Sequence, residues 1–293
     1  MNAWTAHTVT TNELIDPFPV AALASLFDDG LPTPAPGDSL PPLWHWAALP
    51  QWSPSSELSS DGHPFRGSFL PPVELPRRMF AGGNVAFLAD LRVGDTTRRV
   101  STVESVTEKN GRSGRFVIVV VSTTLFTPAG ERAVVERQNL IYREAPTDSE
   151  PNFPAGPDAP ATVVPAGPPL VADSGGEWDF RTDPTLLMRF SAATANAHRI
   201  HYDWPYATGV EGYPGLVVHG PLMTLALAET HRLNGTPDRI ETLVHRNRAP
   251  LFCGQSAHLR STATVAGHNV ELIGPDAGIR TAIELTLSKG AQP

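Results

Sequence analysis

At 293 residues and 41% hydrophobic content, the chain can bury a sizeable core as one large domain or two ordinary ones, and two are expected. A net charge of −8 with no Lys/Arg cluster beyond short pairs excludes nucleic acid or an anionic membrane as the main partner and favours a small-molecule substrate. The single cysteine, Cys253, rules out an internal disulfide and reads as a small buried hydrophobe beside Phe252; with no leader-like N terminus and no apolar run near the ~20 residues of a membrane span, the expected location is cytoplasmic, with no membrane partner.

Asp16-Pro17 opens a short helix that Gly30 closes, and Pro41–Trp52 (PPLWHWAALPQW) predicts a second apolar helix begun by Pro-Pro and stopped at Pro50. Ser53–Arg78 reads as a polar loop, rigid with proline and glycine, that carries Arg66, Arg77 and Arg78; a planar guanidinium there can take a carboxylate or phosphate in two-point fashion. Thr96–Glu108, Arg115–Phe126 and Glu131–Tyr142 are β-branched runs separated by turn residues, an antiparallel meander. Its middle strand is apolar at nearly every position, so both faces should be covered, one of them by the Pro41–Trp52 helix. Ala145–Val171 is rich in Pro, Ala and Gly without periodicity and reads as a linker.

Beyond it, Trp178–Thr182 and Leu186–Ser191 are expected as short strands, followed by a His-rich loop and a helix from about Gly220 to Leu233 that is apolar nearly all round in its first two turns. Ile240–Asn247, His258–Ala266, Asn269–Ile273 and Ile279–Leu287 return to strand character. Each half thus runs from an apolar helix into antiparallel strands, an α+β pattern given twice without visible sequence identity.

The His-rich stretch carries the chemistry. His198-Arg-Ile-His201-Tyr-Asp203 plus His219 invites a metal, but H-x-x-H lacks the Glu of H-E-x-x-H, and Pro205 stops one helix from aiming all the ligands together, so no metal is expected. No G-x-S-x-G elbow supports a serine hydrolase. Imidazoles that titrate near neutrality, clustered with Asn196, fit general acid/base catalysis, and Gly220 can present its N–H at a helix N-terminus to a developing oxyanion.

Thr194–Asp203 followed by Val217-Val218-His219-Gly220 resembles the MaoC-type enoyl-thioester hydratase motif, S/T-G-D-x-N-P-I-H-x-D and then I-x-H-G. Here Asn196 stands at the family's catalytic aspartate, His198 at its asparagine and Arg199 at its proline. That variant, with PPLWHW, DGHPFRGSFLPP, LPRRMFAGG and Val106–Gly114, is similar to the hydroxyacyl-thioester dehydratase branch with a fatty-acid-synthase-like dehydratase N-terminal half, which includes mesaconyl-, itaconyl- and methylfumaryl-CoA hydratases. The resemblance implies a double hotdog: a non-catalytic hotdog over residues 1–145, a linker over 146–172, and a catalytic hotdog over 173–293. It implies a hydro-lyase that adds water to an α,β-unsaturated acyl-CoA without a cofactor, a C5 dicarboxylic acyl group being one expectation and a homodimer one expected assembly. The alternative is a hotdog that binds acyl-CoA, or cleaves it as a thioesterase, without hydrating it. The implied catalytic residues are His201, Asn196, His198 and Gly220, with His219, Tyr202, Arg77, Arg78 and Arg66 at the substrate. Because Asn196 cannot take a proton, His201 would carry the acid/base load, with His198 as helper and Asn196 orienting water.

Overall fold

The computed structural model describes residues 4–111, 114–144, 167–173, 177–235 and 238–288. Strand β1 (Thr8–Leu14) leads into helix α1 (Pro17–Phe27), which Asp16 caps by accepting the N–H of Phe18. Helix α2 (His45–Ala48) precedes β2 (Arg77–Phe87), β3 (Thr96–Gly111), β4 (Gly114–Phe126) and β5 (Arg132–Arg143). The second half holds β6 (Leu170–Ala172), β7 (Trp178–Phe180), α3 (Pro184–Ala193), α4 (Trp204–Gly209), α5 (Gly220–Leu233), β8 (Arg239–Asn247), β9 (Ala257–Ala263), β10 (Gly267–Ile273) and β11 (Ile279–Ser288).

These strands form one 11-stranded antiparallel sheet, ordered β1-β3-β4-β5-β2-β8-β11-β10-β9-β7-β6. From the seam outward each half repeats one order: its first long strand, then its fourth, third and second, then β1 in the first half and the short β7 and β6 in the second. The helices repeat as well, α1 and α3 each beginning with an Asp cap and a Pro. The result is the double hotdog. At the seam β2 pairs with β8 from Gly82↔Arg246 to Ala86↔Thr242. Two glycines fit β2 between its neighbours: a Cβ at Gly82 would strike the carbonyl of His245 on β8, and one at Gly83 the carbonyl of Arg137 on β5.

Helix α5 buries an unbroken run from Leu222 to Thr230, so nearly its whole circumference is core, as its sequence requires. Leu222, Leu225 and Leu227 share one cluster with Trp44 and Leu43 of the first half and with Leu243, Ile283 and Leu285 of the second. A fully buried Leu side chain contributes roughly 1.5–3 kcal/mol, so this continuous core ties the halves together.

Four expectations need correction. Leu186–Ser191 is not a strand but lies within α3: Asp183 accepts the N–H groups of Thr185 and Leu186, Pro184 presets the first turn, and Leu186, Leu187 and Phe190 fall on one helical face. Arg77 and Arg78 are not in a loop, for β2 starts with them and pairs Arg78 with Tyr142. The Pro41–Trp52 helix shrinks to four residues, because Leu43 sits at φ 67 and the turns before His45 close with short-range bonds such as Trp44 N to Pro41 O. Nor does α2 cover the centre of β4: Val117 and Val119 pack with Leu75, Leu140 and Tyr142, joined by Phe69, Leu70 and Val73 of the loop before β2, whereas α2 belongs to the cluster containing Leu125. The expected linker falls mostly outside the described residues, and its last residues, Leu170–Ala172, are β6.

Candidate active site

At the end of α3 the chain turns sharply. Ala195 takes a left-handed φ of 51, the N–H of Asn196 returns to the Ser191 carbonyl at 2.9 Å, and Asn196 Oδ1 accepts the N–H of His198 at 3.1 Å. A 3-10 turn over Arg199–His201 follows, and Asp203 grips Arg199 at 2.7–2.8 Å while capping α4 through the N–H of Tyr206. Val217 N–H bonds to the Ile200 carbonyl at 3.0 Å, which draws the segment before α5 against this turn.

The consequence is a row of four imidazoles. His201 stacks on His219 with centroids 3.6 Å apart, His198 meets His201 edge-on at 5.5 Å, and His63 of the first half lies 4.2 Å from His198. Ser191 Oγ closes one end, 2.8 Å from His219 Nε2, and Asp61 closes the other, its Oδ2 accepting from His63 Nδ1 at 3.2 Å. The Asp61 loop is pinned by its own turn and by Arg199, whose N–H bonds to the Asp61 carbonyl at 2.9 Å and whose Nη1 bonds to that of Ser60 at 3.0 Å.

His201 Nδ1 donates to the Val217 carbonyl at 2.7 Å, which leaves Nε2 as the basic nitrogen. Burial pushes the His201 pKa down to about 4, against the upward pull of that hydrogen bond, so the ring is neutral at pH 7. Burial lowers His219 well below its usual range, with the neighbouring histidines adding to it, and lowers His198 and His63 as well. At His63 the pull of Asp61 opposes burial and the nearby Arg78. Asp61 stays ionised: against the desolvation of burial, its hydrogen bonds and the charge of His63 hold its carboxyl well below the usual range.

His63, Asn196, His198, His201, Tyr202 and Gly220 line one cleft of about 1590 Å³, room for a long thioester. Gly220 begins α5, and a Cβ there would meet the Asn247 amide at 2.8 Å and the Phe80 ring at 3.2 Å. His219, fully buried, lies beneath the cleft and supports the ring of His201. The three arginines separate. Arg66 gives its guanidinium to the carbonyls of Val73, Leu75 and Pro76 and stacks on Tyr142, and Arg77 is buried against Glu211 at 3.2 Å. Arg78 lines the cleft with no carboxylate partner among the described residues, facing Tyr142, whose buried hydroxyl also lacks one. Asp61, His63 and Ser191 are absent from the sequence-predicted set; the Asp-Gly-His turn in DGHPFRG was the available signal.

Asp61, His63 and His198 offer ligand-type atoms within 4.8 Å of one another. Their arrangement suits proton transfer better than a cation, because the carboxylate is already engaged by Ser59 Oγ, by the His63 N–H at 2.8 Å and by His63 Nδ1.

The profile described as "Hydroxyacyl-thioester dehydratase type 2" matches residues 43–253. The chain belongs to this family. It is also 40% identical to a Chloroflexus aurantiacus protein named mesaconyl-C(4)-CoA hydratase, across 98% of this chain and 97% of that one. HtdX of Mycobacterium tuberculosis superposes with a TM-score of 0.64 at 19% identity, over 97% of this chain and 100% of that one. A second M. tuberculosis protein, described as a double hotdog, gives 0.55 at 16% over 98% and 96%. Like other members of the dehydratase family, the chain is a hydro-lyase of the CoA-thioester hydratase kind. Among the described residues no helix is long and apolar enough to cross a membrane.

Proposed function

We propose that the protein adds water reversibly across the α,β double bond of an enoyl-CoA, and that the acyl group is a C5 dicarboxylic one such as mesaconyl. The observation that carries the reaction is a buried His201, its Nδ1 tied to the Val217 carbonyl, in the same cleft as the N-terminus of α5. His201 Nε2 takes a proton from water as the water oxygen bonds to the β-carbon. The π pair then moves through the α-carbon onto the thioester oxygen, where the Gly220 N–H and the positive end of a 14-residue helix stabilise it. Asn196 and His198 hold the water, His219 and Ser191 fix the ring of His201, and Tyr202 borders the acyl chain.

Arg78 supports the second part of the reading. A guanidinium in a cleft with no ion pair among the described residues has donors for a carboxylate, and a charge-assisted contact is roughly twice as strong as a neutral one. Arg66 and Arg77 are spent within the protein, so this task falls to Arg78. The 40% identity to a protein named for mesaconyl-C(4)-CoA agrees with that reading.

The test is ultraviolet absorbance of the enoyl thioester on mixing with mesaconyl-C4-CoA and with crotonyl-CoA. Hydration of both, with mesaconyl-CoA favoured in kcat/KM, is expected; release of free thiol without loss of the double bond would mark a thioesterase instead. We place the enzyme in the cytoplasm as a homodimer. The single thiol, Cys253, pushed up to about 12 by burial, fits a reducing compartment, and light scattering reads the dimer.

A further inference from the structure

Addition of water needs two proton events, one at the water oxygen and one at the α-carbon, and two groups can divide that work. Asn196 stands where a carboxylate would otherwise share this work, and an amide neither takes nor gives a proton. Around His201, His198 and His219 the described side chains supply imidazoles, an amide and a hydroxyl. Among the described residues the one carboxylate bonded to a ring of the row is Asp61, and it bonds to His63.

We propose that His63, delivered by the N-terminal half, is a second catalytic residue of the hydratase, and that Asp61 is its positioning residue. This assignment rests on the hydratase reading above. Asp61 Oδ2 binds Nδ1–H, which sets the ring and directs Nε2 away from the loop, and both His63 and His201 line the cleft. As the imidazolium, His63 gives its Nε2 proton to the α-carbon while the thioester carbonyl re-forms. The proton that His201 took from water returns to His63 through the intervening His198 or through solvent, and both rings are restored. One H and one OH have been added, and no oxidant or reductant is consumed.

The environments sort the two roles. His63 has a carboxylate to stabilise its charged form, and His201 has a carbonyl on Nδ1 and a second imidazole against its face. The groups facing His63 are Asp61 on its own loop, Arg66 further along that segment, Arg78 on β2, and His198 and His201 after α3. Burial and the positive charges of Arg78 and Arg66 lower the His63 pKa, with the hydrogen bond and negative charge of Asp61 opposing them, so the imidazolium is the minor form at neutral pH and Asp61 keeps it within reach. The Asp61 loop is also fixed to the catalytic half by the Arg199 bonds to Asp61 and Ser60, which gives the N-terminal half a role in chemistry as well as in the cleft wall.

The experiment measures kcat, KM and the pH profile of kcat/KM for the wild type, His63→Gln and Asp61→Asn on the better of mesaconyl-C4-CoA and crotonyl-CoA, with thermal melts confirming the fold. His63→Gln should lose about 10²–10⁴-fold in kcat with little change in KM. Asp61→Asn leaves Arg78 and Arg66 unopposed, so His63 gives up its proton more readily, and the basic limb of the profile should move down by on the order of one pH unit. A merely structural lesion would lower the plateau without moving that limb. His63→Gln within threefold of wild type, or a basic limb unmoved in Asp61→Asn, overturns the dyad and leaves the hydratase reading standing. Wild type inactive on both thioesters overturns both. Activity lost to EDTA and restored by zinc would make the cluster a metal site and likewise overturn the dyad.

Discussion

His201 and His219 lie face to face, ring centroids 3.6 Å apart and planes 21° from parallel. Two buried imidazoles at that distance cannot both be charged, and His219 Nδ1 has no hydrogen-bond partner among the described residues. Burial, with the positive charge of His63 adding to it, keeps His201 neutral, while the Val217 carbonyl fixes which nitrogen is basic. His201→Ala should keep the fold and lose about 10²–10⁴-fold in kcat/KM. In the wild type, His201 with a pKa of about 4 loses its lone pair only in acid, so the acid limb of kcat/KM should lie well below 6.5. Steady-state kinetics between pH 4 and 8 measures both; an acid limb near 6.5 would remove His201 as the base.

At Gly62 the backbones of the two halves approach closely beside the site. This glycine holds φ +92, and a Cβ there would collide with the carbonyl of Ala197, between Asn196 and His198. Gly62→Ala should therefore destabilise by about 1–3 kcal/mol through backbone strain and push the Asp61–His63 loop off His198. The expected result is a melting temperature several degrees lower, with kcat reduced more than tenfold in protein that is still folded. An unchanged melt would show that the loop yields freely.

Much of this was legible from residues. Helix α5 and strands β3, β4, β5 and β8 to β11 carry sustained periodic patterns, and His198, His201, His219 and Gly220 lie close together in sequence. Local signals failed where two of them competed. At α3 the apolar run LLMRFS outweighed the Asp183-Pro184 start that governs it, and at β2 the prolines, glycines and arginines hid a strand whose alternation is broken by a bulge between Phe80 and Gly82. The placement of Asp61 and His63 beside His198 could not be read locally, because it depends on a β2–β8 seam and an Arg199–Asp61 bond between segments far apart in the chain. Nor does sequence tell which of three arginines is spent: only the partners of Arg66 and Arg77 single out Arg78.

Arg78→Met tests that assignment. Losing a charge-assisted contact to a substrate carboxylate, worth about 1.5–3 kcal/mol, should lower kcat/KM for mesaconyl-C4-CoA by about 10–150-fold and leave crotonyl-CoA within threefold. Equal losses on both substrates would assign Arg78 to the CoA portion or to folding, and a melt of the variant separates those two.

Glu229 gives a pH dependence of stability unconnected with catalysis. It is buried on α5, accepting from Trp44 Nε1 at 3.1 Å and pairing with Arg232, which also reaches Asp29 at 2.9 Å. Burial raises its pKa to about 7 even though Arg232 pulls the other way. A carboxyl with a folded pKa above its unfolded value binds its proton more tightly in the folded state. Its contribution is thus complete below about 4.5, the unfolded value, and is lost as pH rises through about 7. The difference is on the order of 1–3 kcal/mol. Thermal melts from pH 5 to pH 8 should show the wild type losing stability across that range. Glu229→Gln, which keeps the shape and an acceptor oxygen for Trp44 but cannot ionise, should lose less over the same range. A variant whose melting temperature falls with pH as steeply as that of the wild type would place the titration on another group.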